Sequence, residues 1–81
     1  MTDKQKRDRA VRAFAKNMIK KLDIKAKQGY NGWDKYRFHK MLKNKLMLSV
    51  IKYLDNDPAQ LVDVGNFAMM LHYQAKQRGL L

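Results

Sequence analysis

Cysteine and glutamate are both missing from this 81-residue chain, and proline occurs once, at Pro58. Without cysteine there is no disulfide framework, no thiolate metal site and no sulfur nucleophile, and the composition fits an intracellular, cytoplasmic setting. No apolar stretch approaches the roughly 20 residues of a membrane span. The first residues are polar and basic, with no apolar segment of a secretion signal behind them. The expectation is a protein neither exported nor embedded. The two histidines, His39 and His72, lie too far apart for a zinc motif. His39 stands among lysines and is expected to face water, and His72 follows an apolar run and is expected at a contact edge. No serine, cysteine or paired carboxylate stands at a spacing that suggests catalysis, so no catalytic residue and no metal ligand is assigned.

Negative charge is also scarce. Seven aspartates face 18 lysines and arginines, giving a net charge of +11 and a pI of about 10.1. Residues 1–54 carry 16 of the 18 cations and four of the seven acids, or +12, whereas residues 55–81 come to −1. A balance this far from neutral biases a protein toward polyanions. A single short domain over residues 1–81 buries only a modest share of its surface, so a homo-oligomer is expected, its helices completing a bundle between copies.

What is present reads as all-α, with three helices at about residues 3–27, 34–54 and 58–77. Thr2 and Asp3 offer a cap for the first, and Val11, Phe14, Ala15, Met18, Ile19 and Leu22 mark one helical face. The other faces carry Lys6, Arg9, Arg12, Lys16, Lys20 and Lys27, a basic surface able to follow a phosphate backbone. A solvated face that keeps a small oligomer soluble is the plainer alternative. Two glycines, an Asn-Gly pair and two aromatics between Gln28 and Asp34 mark a turn. Asp34 is the expected cap of the second helix, with Lys35, Arg37 and Lys43 near its start. From Leu46 to Leu54 this helix is apolar almost all round, a pattern expected of burial on more than one side.

The third helix has the clearest start. Asp57 is placed to cap it, Pro58 fits its first position, and Gln60 is the capping-box partner. Asp63 and Asn66, three residues apart, fall on one face of an otherwise apolar helix. The leading expectation for Asp63 is an ion pair with a lysine or arginine of a neighbouring helix, and for Asn66 a buried side chain satisfied locally. Contact with a nucleotide, helped by stacking on Trp33, is the second reading. Gly65 beside them permits close helix approach.

The run Asp63-Val64-Gly65-Asn66-Phe67-Ala68-Met69-Met70-Leu71 resembles the DVANFAMM signature of the small phage and archaeal MazG-like proteins, all-α nucleoside triphosphate pyrophosphohydrolases. Phe14, Met18 and Leu22, then Gly32-Trp33, then the apolar helix from Met41 to Leu54, follow the same order, so the likeness spans about residues 11 to 73. It implies a magnesium site built from an ExxE pair on the central helix and an ExxD pair on the next. This chain departs from that pattern: with no glutamate the first pair is absent, and the second is reduced to Gln60 and Asp63. One carboxylate makes a poor magnesium site.

The leading expectation is therefore a non-catalytic basic binding protein, MazG-like but degenerate, needing no cofactor. Its first two helices would engage nucleic acid, another polyanion or an acidic protein surface. One alternative is a pyrophosphohydrolase with a rebuilt site and bound magnesium. Another is a helical adaptor or inhibitor of a host protein, as the viral side of the resemblance suggests.

Overall fold

The computed structural model describes residues 1–81. It contains α1 (Asp3–Lys27), α2 (His39–Leu54), entered through a 3₁₀ turn at Tyr36–Phe38, and α3 (Gln60–Gln77), with no strand. No helix is long and apolar enough to cross a membrane.

The start of α1 follows from its first residues. Thr2 Oγ1 accepts the Gln5 backbone N–H at 3.2 Å, and Gln5 Oε1 accepts the Thr2 N–H at 2.9 Å, a complete capping box. The helix runs to Lys27 and stops where Gly29 takes a φ of +89°, a conformation glycine adopts without strain. At the end of α3, Arg78 caps and Gly79 turns left-handed at φ +72°.

Two helix starts lie later than the sequence pattern predicts. Asp34 caps nothing: the chain turns at Gly32, with the Lys35 N–H donating to the Gly32 carbonyl, and regular helix begins only at His39. The reason is tertiary, because Gln74 of α3 donates its side-chain amide to the carbonyls of Trp33 at 2.7 Å and Lys35 at 3.3 Å, holding that segment outside the helix. Likewise Asp57, Pro58 and Ala59 form a turn ahead of α3. The carboxylate of Asp57 accepts from the Gln60 side chain at 3.0 Å instead of capping a backbone N–H.

Helix α3 is the shared partner of the other two, with α1 and α2 both packed on it. The apolar core is small, comprising Leu42 of α2 and Met70 of α3, and the other fully buried residues are Ser49, Asn66 and Gln74. Hydrogen bonds therefore share the work of holding the helices. Asn66, 4% exposed, donates to the Met18 carbonyl of α1 at 3.3 Å. Gly65 makes that approach possible: a Cβ there would lie 2.6 Å from Phe14 Cζ and 3.2 Å from Met18 Sδ. Gln74, 2% exposed, ties α3 to the segment before α2. Its Oε1 lies 3.0 Å from His39 Nδ1, which donates in its Nδ1–H tautomer. His39 is thus half-buried and bonded, contrary to the expectation that it faces water. Trp33 meets Tyr73 edge-on at 5.2 Å.

The apolar stretch of α2 is buried on one side only within a single chain. Leu42, Leu46 and Ser49 turn inward, whereas Met47, Leu48, Ile51 and Leu54 stay exposed. Val11 of α1 is exposed as well, because α1 leaves α3 beyond Phe14. The radius of gyration, 14.0 Å, exceeds the roughly 12 Å of a compact chain of this length, as that projecting helix requires.

Candidate nucleic-acid interface and basic cleft

Six of the nine cations expected to meet nucleic acid lie along α1. At about 100° per residue, Lys6, Arg9, Arg12, Lys16, Lys20 and Lys27 share the side of the helix turned away from Phe14, Met18 and Leu22. All six are exposed, and none is in an ion pair. Elsewhere in the chain only Arg7, with Asp8 at 3.9 Å, and Lys21, with Asp63 at 2.6 Å, are paired. From Arg9 to Lys27 the row extends about 27 Å.

Lys35, Arg37 and Lys43 belong to a second place, around the start of α2. The Lys35 carbonyl is taken by Gln74, Arg37 lies over the Phe38 ring at 4.9 Å, and Lys43 is exposed. The nine expected cations are therefore not gathered into one groove.

A different set of lysines does converge. Between α1 and α2, floored by α3, lies an open cleft of about 450 Å³. Lys21 and Lys25 line it from α1, Lys45, Ser49 and Lys52 from α2, and Gln60, Asp63 and Asn66 from α3. Each spacing is a helix-face spacing: 21 and 25 are one turn apart, as are 45 and 49, and 52 continues the same row. In the sequence Lys21, Lys25 and Lys45 belong to the general basic faces of the first two helices, and none of the four stands out as a site residue. Their i, i+4 and i+7 spacing was the available signal, but it gains meaning only once α1 and α2 are known to face each other across α3.

No protein-family model, curated protein or solved structure matches this chain.

The three residues expected to meet a nucleotide fall in or near the cleft. Asp63 pairs with Lys21, the partner expected for a lone acid on an apolar helix. Asn66 lines the cleft, and its Oδ1 is buried with no hydrogen-bond partner. Trp33 lies in an adjoining apolar pocket of about 110 Å³ with Tyr30, Phe38, Met41 and Phe67. Tyr30, Lys45, Phe67 and Met70 line both spaces, so the pocket and the cleft are neighbours.

The magnesium implied by the family resemblance has no suitable donor set. Asp63 is the sole carboxylate lining the cleft, and it faces an ammonium group. No group of three or more Asp, Glu, His or Cys side chains comes together anywhere in the chain. Where the resemblance implies carboxylates on the central helix, α2 presents Lys45 and Lys52 to the cleft. A site of this chemistry attracts phosphate and repels a divalent cation.

Proposed function

We propose that this chain is a non-catalytic, basic helical binding protein, a MazG-like relative whose metal site has degenerated, and that it engages nucleic acid through the outer face of α1. The observation that carries this reading is the unpaired row Arg9, Arg12, Lys16, Lys20 and Lys27 on one exposed helix side. A balanced solvated surface interleaves both signs of charge, and this one does so only through Asp23. Phosphate contacts of this kind position a backbone without reading bases, so binding is insensitive to sequence. The test is a salt titration of binding to single- and double-stranded DNA. On duplex DNA the log-log slope is expected near −0.9 per neutralised phosphate. Absence of binding at low salt would remove this reading and leave the acidic protein surface as the polyanion.

A second proposal concerns self-association, and it rests on the outer face of α2. Met47, Val50, Ile51 and Leu54 form a helical stripe in which Met47, Ile51 and Leu54 are 56%, 53% and 72% exposed. Lys40 and Lys43 precede the stripe, and Asp55 and Asp57 follow it. Two copies of α2 packed antiparallel about a two-fold axis near Met47 and Val50 bring the lysines of each against the aspartates of the other. Sedimentation equilibrium is expected to show a dimer, dissociated by Ile51→Lys. A monomer at high concentration would refute the pairing.

A further inference from the structure

We propose that the cleft between α1 and α2 binds the oligophosphate portion of a small molecule, and does so without a divalent metal. This site is separate from the α1 outer face. Four lysines converge on the cleft, Lys21, Lys25, Lys45 and Lys52, against one carboxylate, Asp63. Three of the four are in no ion pair, and the fourth holds Asp63. A volume of about 450 Å³ falls in the range of small-molecule sites and is concave, unlike the convex α1 face.

The Asn66 side chain adds an independent indication. It is almost fully buried, lines the same cleft, and its Oδ1 accepts from nothing in the chain. A buried acceptor without a partner is costly. The Oδ1 atom is closed off from solvent, so a donor on a ligand in the cleft reaches it only after the side chain shifts. Ser49, also buried, adds a hydroxyl able to donate to a phosphate oxygen.

The charge arrangement dictates the metal independence. In a metal-bridged phosphate site, carboxylates hold the cation and the cation holds the phosphate. Here Lys45 and Lys52 line the α2 wall where carboxylates would stand, so lysines neutralise phosphate directly, and a divalent ion competes with them for the same oxygens. Asp63 then opposes the ligand and occupies Lys21. Removing its charge strengthens binding, the opposite of what a metal-ligating aspartate would show.

The experiment is calorimetric titration of the full chain with inorganic tripolyphosphate in the presence of chelator, repeated with excess magnesium. Saturable binding is expected in chelator, with magnesium leaving it unchanged or weakening it. The double variant Lys45→Gln, Lys52→Gln is expected to bind about tenfold or more weakly, while retaining DNA binding. Asp63→Asn is expected to bind roughly three- to tenfold more tightly, with circular dichroism confirming its helix content. A requirement for magnesium, loss of binding in a folded Asp63→Asn chain, or equal weakening by charge removal on the α1 outer face would each overturn the proposal. Loss of DNA binding with retained tripolyphosphate binding would instead count against the α1 reading alone.

Discussion

The outer face of α1 and the cleft between α1 and α2 are both lysine-rich, yet the same side chain meets different surroundings in the two. On α1 the cations lie along a convex helix side, fully solvated, where each interaction is screened by water and salt. In the cleft, lysines from two helices line one concavity whose floor contains buried polar residues. A convex row suits a long polyanion with regularly spaced phosphates. A concave cluster suits a compact one. Net charge alone does not distinguish the two, because both contribute to the same +11.

The most forceful way to break this comparison is to separate α1 from α3. Gly65→Val places atoms within 2.6 Å of the Phe14 ring, and overpacking of this kind costs about 1–3 kcal/mol. The urea midpoint should fall, and the cleft should lose tripolyphosphate binding. The solvated face of α1 depends only on that helix, so DNA binding should survive wherever the chain stays helical.

Gln74→Leu should cost a comparable amount, roughly 1–3 kcal/mol measured by urea denaturation. It strips the Trp33 and Lys35 carbonyls of their shared donor and His39 of its partner. Because Tyr30 stands just before this segment and lines the cleft, the loss should reach the cleft and leave the α1 face untouched.

The converse test is the triple variant Arg12→Gln, Lys16→Gln, Lys20→Gln. Stability should change by no more than about 0.5 kcal/mol, since none of these residues is buried or paired. The salt dependence of duplex binding should become shallower by up to about 0.9 per lost contact. Equal loss of tripolyphosphate affinity would merge the two regions into one.

Thr2→Ala carries the smallest expected effect. It removes half of the capping box at the free end of α1, worth about 0.5–1 kcal/mol to the helix and less to the whole chain. Hydrogen exchange should show faster opening of the first turn alone, with the cleft unaffected.

Much of the secondary structure was legible in the sequence, because its signals are local. Thr2, Gly29 and Gly79 fix helix ends through bonds and torsions within a few residues, and Gln5, which the sequence pattern did not mark, completes the box at Thr2. Gly65 was legible too, as a small residue on an apolar helix. The starts of α2 and α3 were misplaced by a few residues. For α2 the deciding bonds come from Gln74, some 40 positions away. His39 departs from the expected exposure for the same reason, since its surroundings in sequence are lysines and its partner in space is Gln74.

Composition and helical periodicity are local properties, and they suffice for an all-helical chain, the concentration of charge in residues 1–54 and the absence of glutamate. Only the tertiary structure decided which lysines act together. Packing α1 and α2 on α3 sends one set of cations outward and turns Lys21, Lys25, Lys45 and Lys52 toward a shared cavity around Asp63 and Asn66. Convergence of side chains from three helices depends on how the helices cross, and that geometry is set by the close approach at Gly65 and the buried amides of Asn66 and Gln74.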